Sequence, residues 1–305
     1  MPSAHTNFNS NKMLMFLVYA LFLTSSNALS GPWWATKMVS FWYSPDNNWP
    51  QAVALVTAHR AAVTSVMAYC GLDVWDNGTI ITKFSTTCGG LFPALQSLGV
   101  QTELVINSGN CSIDAFRLLW ADLSVSPNVL RDAVVAANAS GLNVDFEPQG
   151  NNCKGGATGT SADAVSFAKW LQAVRVQLAP LGARLTVDVA SWSPVLAEYA
   201  ILAKSVDRLL DMSTYNGDSP ASWSPYFDDL VSKAPLDTVG VGLGGWSDGK
   251  NAWWETPAAA PFKVNKSMAA NVPELAVFRI LPQASPAVSW PLDFWWGALE
   301  TFLKN

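Results

Sequence analysis

The chain has 305 residues, of which 50% are hydrophobic and 13% are charged, and its formal net charge is -5 at pH 7. An acidic chain without a basic stretch does not suit nucleic acid, so that class of partner is not expected. The chain contains two histidines, His5 and His59, and His5 lies in a segment that we expect to be removed. A histidine-based catalytic triad and a histidine-rich metal site are therefore not expected.

The N-terminus is typical of a secretory signal peptide. Lys12 precedes the apolar run 13–23, and small residues suitable for cleavage end at Ala28. The apolar run is shorter than the roughly 18 residues that cross a bilayer, and no later run reaches that length. We predict a signal peptide over 1–28 and an exported domain over 29–305, secreted or delivered to a lysosome or vacuole. The alternative is an uncleaved anchor.

Apolar runs rich in β-forming residues then alternate with helical patterns. Strands are predicted at Lys37–Tyr43, Val63–Tyr69, Gln101–Asn107, Gly141–Glu147, Arg184–Ala190, Val206–Tyr215, Asp237–Gly244 and Glu274–Ile280. Helices are predicted at Pro50–Ala61, Ser112–Trp120, Asn128–Ala137, Ser161–Ala179 (with an N-cap at Ser161), Pro194–Lys204, Ser222–Ser232 and Leu292–Leu303. Eight strand–helix repeats over about 250 residues predict a single-domain TIM-type (β/α)₈ barrel of the α/β class.

The strand Gly141–Glu147 is the most informative. From residue 142 onward it alternates strictly: the even positions 142, 144 and 146 are apolar, and the odd positions carry the polar residues Asn143, Asp145 and Glu147. Because strand side chains alternate between two faces, the three polar groups share one face. In a (β/α)₈ barrel that face points into the barrel, and its last residues reach the end where active sites lie. In an antiparallel sandwich the same face would only be exposed to solvent.

Asp145 and Glu147 are the strongest chemical signal. Two close carboxylates cannot both ionise cheaply, so the pKa of one rises and that group can act as an acid near neutrality. Glu147 is nearer the predicted barrel mouth and is the expected proton donor. Two solvated acids at a strand end would explain the same pattern without catalysis.

Aromatic residues follow several predicted strands, where a barrel binds its ligand. Their flat faces can stack on the apolar faces of pyranose rings, although several of the 15 tryptophans must belong to the core. The aromatic residues in these positions are Trp42, Tyr43, Trp192, Trp246 and Phe278.

The segment Ser140–Glu147 resembles the Asp-Gly-x-Asp-x-Asp-x-Glu signature of glycoside hydrolase family 18, which contains the chitinases and chitobiases. Ser140 and Asn143 stand where that pattern has aspartates, and chitobiase-like members share the asparagine. The segment Met212–Asn216 is similar to the family's Met-x-Tyr-Asp/Asn segment, with one extra residue after the methionine.

This resemblance implies a retaining hydrolase of β-1,4-linked N-acetylglucosamine in which the acetamido group of the substrate is the nucleophile. Glu147 would be the acid, and Asp145 would orient the acetamido group. Tyr215 would hold the acetamido carbonyl, and Asn143 would position Asp145 by a hydrogen bond. Substrate contacts are expected from Tyr43, Met212, Asn216, Trp246, Phe278 and Trp290.

The resemblance implies no metal and no organic cofactor. The expected partner is chitin or an N-acetylglucosamine oligosaccharide, and the protein is expected to be a monomer. It is not expected to bind nucleic acid, nor a membrane once the signal peptide is cleaved. Two other functions remain open from the sequence. One is a non-catalytic chitinase-like lectin, which would not need Glu147. The other is an endo-β-N-acetylglucosaminidase that cuts N-glycan cores and shares most of these residues.

Four cysteines in an exported chain predict two disulfides. Among three connectivities we favour Cys70–Cys88 and Cys111–Cys153, since each would join loops on adjacent barrel strands. Glycosylation is predicted at sequons that begin at Asn77, Asn110, Asn138 and Asn265.

The segment Gly240–Gly245 formally satisfies the dinucleotide-binding pattern Gly-x-Gly-x-x-Gly. It lies in a predicted strand and does not open a helix, so the structural context of that pattern fails. A tight turn after the strand is expected instead.

Overall fold

The computed structural model describes residues 32–43, 49–83, 86–108, 112–148, 157–244, 258–280 and 293–305. The predicted signal peptide, the pair Cys111–Cys153, the sequon at Asn110, and the residues Trp246 and Trp290 lie outside the described residues. A short 3₁₀ turn, Trp33–Ala35, comes before the main folded unit in the sequence, and that unit begins at Thr36.

Eight parallel strands form a closed barrel. The described strands are β1 (Met38–Tyr43), β2 (Ser65–Val74), β3 (Ile80–Thr82), β4 (Gln101–Asn107), β5 (Gly141–Asp145), β6 (Arg184–Val189), β7 (Arg208–Asp211), β8 (Val239–Gly244) and β9 (Glu274–Phe278). Strand β1 pairs with both β2 and β9, which closes the ring. Strand β3 pairs antiparallel with the end of β2 and stands outside the barrel order. The predicted TIM-type (β/α)₈ barrel is therefore confirmed.

Helices connect the strands and cover the barrel. The described helices are α1 (Trp49–Ala58), α2 (Thr86–Ser97), α3 (Ile113–Ala121), α4 (Val125–Ala136), α5 (Ser161–Leu178), α6 (Tyr199–Leu202), α7 (Pro220–Lys233), α8 (Ala259–Ala269) and α9 (Asp293–Lys304). Among the described residues, no helix combines the length and the hydropathy that a membrane crossing requires.

The helices differ from the sequence predictions in four places, and the first is α8, for which no helix was predicted. Helix α2 was missed because Gly89, Gly90 and Pro93 have the weakest helix propensities and conceal it. The predicted helix Pro194–Lys204 is mostly turns, with a single helical turn at α6. Thr160, not Ser161, caps α5, because its backbone N–H donates to the Asp163 carboxylate at 2.8 Å.

The apolar face of β5 packs against the helices, as its alternation predicts. The ring of Phe146 lies 4.7 Å from that of Phe116 on α3 and 5.8 Å from that of Trp170 on α5. All three side chains are fully buried, and each contributes about 1.5–3 kcal/mol relative to an exposed ring. The opposite face of β5, which carries its polar residues, is thereby turned into the barrel.

Charged side chains fill the barrel interior near the first residues of several strands. Arg184 on β6 pairs with Glu103 on β4 at 3.3 Å and with Glu274 on β9. Arg208 on β7 lies 3.5 Å from the same carboxylate of Glu274. Two cations thus balance two anions, as buried charges require.

The predicted disulfide Cys70–Cys88 is confirmed, with 5.9 Å between the Cα atoms. It joins β2 to α2 beside a bulge, where the pairing of β2 with β4 skips from Tyr69 to Leu72. Gly71 lies in that bulge with φ +83, a left-handed conformation that favours glycine. The covalent link therefore fixes β2 where it leaves the barrel wall.

Candidate active site

Three carboxylates lie together where β5 and β6 end. Asp145 is the last residue of β5, and Glu147 follows it by two residues. Asp188 is the penultimate residue of β6, and because Val144 pairs with Val187, Asp188 is the cross-strand neighbour of Asp145. Asp145 and Asp188 are 6% and 2% exposed, whereas Glu147 is half-buried. Strand β5 ends at Asp145, two residues before the end of the predicted strand. Glu147 therefore lies on the segment that follows the barrel strand.

Burial raises the pKa of Asp145 well above its usual range, and the nearby charges of Glu147 and Asp188 raise it further. Burial also raises the pKa of Asp188. A hydrogen bond from Asn143 lowers it, and the charges of Glu147 and Glu103 raise it further. Carboxyl groups coupled in this way titrate as a cluster. The cluster therefore keeps a proton at a pH where an exposed aspartate has lost it, which is what a general acid requires.

Asn143 does not hydrogen-bond Asp145 as predicted. Its amide Nδ2 donates to Thr186 Oγ1 and to Asp188 Oδ1, both at 2.9 Å. The reason is that β6 offers two acceptors to the two amide protons. Asp145 Oδ2 instead accepts from the Nδ2 of Asn107, at the end of β4, at 3.3 Å.

Tyr215 is carried by a 3₁₀ turn, Met212–Tyr215, and not by the strand that the sequence predicted. The strand stops at Asp211 because its carboxylate accepts a hydrogen bond from the backbone N–H of Ser213 at 3.0 Å. At the other end of the turn, Lys263 Nζ on α8 lies 3.3 Å from the carbonyl oxygen of Thr214. These two contacts determine where Tyr215 projects.

The Tyr215 hydroxyl belongs to the same electrostatic cluster. Burial raises its pKa, and the charges of Asp188, Asp145 and Glu147 raise it further. The hydroxyl therefore stays protonated and acts as a hydrogen-bond donor. The structure thus brings together Asp145, Glu147 and Tyr215, which the sequence had predicted from separate segments.

Aromatic rings form one wall of this site. Phe278, the last residue of β9, lies 5.9 Å from the ring of Tyr215 and 6.1 Å from that of Trp42. Trp42 faces the barrel interior, whereas its neighbour Tyr43 is fully buried in the layer between strands and helices. The expected substrate contact of Tyr43 is thus corrected to Trp42, because successive strand residues point to opposite faces.

Three other predicted contact residues have different surroundings. Met212 is 7% exposed and packs into the core, which leaves it little surface for a ligand. Asn216 is half-exposed, and its amide donates to the carbonyl oxygen of Ser213 at 3.2 Å. Trp192, on the turn after β6, is 40% exposed.

Gly240 and Gly242 of the supposed nucleotide pattern lie inside β8, whereas Gly245 lies outside the described residues, so the turn expected after the strand stays a prediction. Gly242 stands directly beside the ring of Tyr215. In the described chain no set of three histidine, cysteine or acidic side chains is arranged to bind a metal ion.

Sequence reasoning missed Asp188, Thr186 and Asn107. The signal for the first two was present, since the period of two that places Arg184 inside the barrel also places Thr186 and Asp188 there. Asn107 ends a strand whose boundaries were predicted correctly.

No family model matches the sequence, and no curated protein matches it. Solved structures match it well. A chitinase from Chromobacterium violaceum has a TM-score of 0.67 at 14% identity, covering 88% of this chain and 99% of that chain. A group IV chitinase from Ostrinia furnacalis has a TM-score of 0.64 at 12% identity, covering 88% and 100%.

The spore cortex-lytic enzyme SleL from Bacillus megaterium has a TM-score of 0.65 at 11% identity, covering 87% of this chain and 73% of that chain. Identities this low establish similarity of fold and leave chemistry to be argued from the site. The chain therefore has the barrel fold of these chitinases and of this spore cortex-lytic enzyme.

Proposed function

We propose that the protein is a retaining glycoside hydrolase of β-1,4-linked N-acetylglucosamine, in chitin or its oligosaccharides. The observation that carries the proposal is the grouping of Asp145, Glu147 and Tyr215 at the strand ends of a chitinase-like barrel. Their mutual electrostatic influence supports a shared role, since perturbed acids concentrate at functional sites.

Hydrolysis would begin with proton transfer from Glu147 to the glycosidic oxygen. As the bond from C1 to that oxygen breaks, the acetamido oxygen of the same sugar bonds to C1 and forms a cyclic oxazolinium ion. Water then attacks C1 and gives a proton to Glu147, and the acetamido group is released unchanged. Because the acetamido group and water attack opposite faces, the configuration at C1 is retained.

Asp145 and Tyr215 would stabilise the acetamido group during this step. The buried carboxyl of Asp145 is suited to accept a hydrogen bond from the acetamido N–H and to offset the positive charge that develops there. The Tyr215 hydroxyl, kept protonated by burial, is suited to donate to the acetamido oxygen. Phe278 and Trp42 supply apolar ring surface for the sugar.

The proposal is tested by release of a fluorescent aglycone from N-acetylglucosamine mono-, di- and trisaccharides. Glu147→Gln should lower kcat by about 100-fold or more, the usual size of a general-acid contribution. Glu300→Gln, an isosteric change on the surface of α9, should leave kcat unchanged. Full activity of Glu147→Gln would remove the assignment. If the wild type binds these saccharides but releases no aglycone, the protein is better explained as a lectin. If it cleaves only N-glycan cores, it is better explained as an endoglycosidase.

The nucleophile is tested by a substrate whose acetamido group is replaced by a hydroxyl. Substrate-assisted catalysis requires that this analogue is not hydrolysed, because the atom that attacks C1 is missing. Hydrolysis at the rate of the acetamido substrate would show that a side chain of the protein is the nucleophile.

We also propose that residues 29–305 form an exported domain, secreted or held in an acidic compartment. The disulfide Cys70–Cys88 supports this proposal, because disulfides form in oxidising compartments. N-terminal sequencing of the protein from the secretory pathway should begin at Leu29. A first residue of Met1 in that fraction would show an uncleaved segment.

A further inference from the structure

Asp188 is the most deeply buried acid of the site, with 2% of its surface exposed. It lies on β6, one strand away from Asn143, and its Oδ1 accepts a hydrogen bond from the Asn143 amide at 2.9 Å. In the signature that this chain resembles, an aspartate occupies the position of Asn143. Here that position is neutral. Asn143 pairs with Thr186 on the neighbouring strand, and the carboxyl group of Asp188 lies two residues further along that strand, within hydrogen-bond distance of the Asn143 amide.

The amide of Asn143 is fully committed to β6. It donates one hydrogen bond to Thr186 and one to Asp188, and the Thr186 hydroxyl in turn donates a hydrogen bond to Glu103 at 3.1 Å. The Asn143 oxygen Oδ1 is buried and has no hydrogen-bond partner among the described residues, and the same holds for Asp145 Oδ1. Two orphaned acceptors on one strand face need a donor. A proton on Asp145 would supply it.

The charges that face Asp188 are mostly negative. Asp145 faces it from the end of β5, Glu147 from the segment that follows, and Glu103 from β4, while the Tyr215 hydroxyl on the 3₁₀ turn is neutral. Trp42 on β1 offers it an indole N–H. The positive charge of Arg184, on the same strand, is balanced by Glu103 and by Glu274. Full ionisation of the cluster is therefore costly.

We propose that Asp188 is a positioning residue of this active site, which holds the Asn143 amide and keeps a shared proton within the cluster of Asp145 and Glu147. The inference rests on the proposed function. It assigns to β6 the acid that the β5 signature lacks. Asp188 acts through Asn143 and through its charge, without contact to the sugar.

Two variants separate these effects. Asp188→Asn keeps the acceptor for Asn143 and removes the acid, whereas Thr186→Val removes one anchor of Asn143 and changes no charge. Loss of a neighbouring negative charge lowers the pKa of the remaining acids, so in Asp188→Asn the alkaline limb of kcat/KM should move to lower pH by about one unit. In Thr186→Val the limb should stay in place while kcat falls. An unchanged profile of Asp188→Asn would overturn the proposal.

A double variant moves the acid back to β5. Asn143→Asp combined with Asp188→Asn should return the alkaline limb toward its wild-type position, because the number of acids is restored. A profile of the double variant that matches Asp188→Asn would contradict a shared proton.

A second measurement does not depend on activity. Buried acids with raised pKa values lose stability as pH rises, because the unfolded chain ionises freely. The Tm of Asp188→Asn should therefore fall less steeply between pH 5 and 8 than that of the wild type, while Thr186→Val should parallel the wild type. Equal slopes for Asp188→Asn and wild type would overturn the proposal even if no sugar is hydrolysed. If Asp188→Asn does not fold, Asp188→Ser replaces it in both measurements.

Discussion

A β-carbon on Gly242 would lie 2.6 Å from Cε1 of Tyr215, closer than real Cβ atoms approach a neighbour. Strand β8 and the 3₁₀ turn can therefore pack as they do only because position 242 has no side chain. The same substitution would press on the backbone carbonyl of Asp211, which begins that turn.

Gly242→Ala should displace the Tyr215 ring and lower kcat by about 10-fold or more, since small misplacements at a reacting centre are costly. Overpacking should also reduce the free energy of unfolding by about 1–3 kcal/mol. Steady-state kinetics and urea unfolding measure the two effects. Gly297→Ala on α9 is the matched control, because a Cβ there meets nothing within 4 Å. It should be neutral or slightly stabilising. Normal activity of Gly242→Ala would show that the ring is not held by this contact.

Lys263→Met should loosen the turn that carries Tyr215. The Lys263 side chain is fully buried, and its Nζ lies 3.3 Å from the carbonyl oxygen of Thr214. Methionine keeps most of the length but cannot donate, so the free energy of unfolding should drop by about 1–3 kcal/mol and kcat should fall. Lys266→Met, one turn along α8 and paired with Asp228 at the surface, should change stability by less than about 1 kcal/mol. Equal effects of the two variants would argue against a role for Lys263 in the turn.

Asp211→Asn should stabilise the protein increasingly as pH rises. Burial raises the pKa of Asp211 to about 7. Its neutral form favours the fold, so that stability is complete at acidic pH and is lost as pH rises through the folded-state pKa. Asparagine keeps the acceptor for the Ser213 N–H and never ionises. The Tm difference between variant and wild type should be small at pH 5 and larger at pH 8. A difference independent of pH would mean that Asp211 does not titrate in this range.

Arg184→Met should destabilise the barrel strongly, because Glu103 and Glu274 would be left buried without their central cation. Breaking a buried pair in this way costs about 3–5 kcal/mol. The loss should shrink at low pH, where the glutamates can protonate. Urea titration measures the free energy of unfolding of both this variant and a control, Arg117→Met. The control breaks the surface pair with Asp163 and should lower that free energy by about 1 kcal/mol or less. Comparable losses in the two variants would contradict the importance of burial.

Much of the barrel was predictable because its strands repeat a simple physical pattern. The period of two in Gly141–Glu147 correctly separated the side that packs on helices from the side that faces inward. Position at a strand end predicted Tyr43 as a substrate contact, whereas strand parity, which that prediction did not use, separates it from the inward-facing Trp42. The pattern of Arg184–Ala190 predicts a strand, and its parity also places Asp188 inside the barrel, so the signal for that acid lies in the sequence itself.

Other features depend on contacts between distant parts of the chain. The turn that carries Tyr215 is held by Lys263, which is 49 residues away from Thr214 in sequence. The amide of Asn143 turns to Thr186 and Asp188 only because β6 is its neighbour in the closed sheet. No local pattern encodes such contacts, so the sequence predicted the members of the site and not how they are held.

Closure of the barrel has a consequence for the behaviour of the protein in concentrated solution. Each barrel strand has hydrogen-bonded neighbours on both sides. Within the part of the chain that the structure describes, the strand with an open side is β3, which has three residues. Unpaired strand edges are the templates on which proteins join into intermolecular sheets, and short edges are poor templates. While the barrel stays closed, the fold therefore exposes little strand edge on which another molecule could add a strand and aggregate.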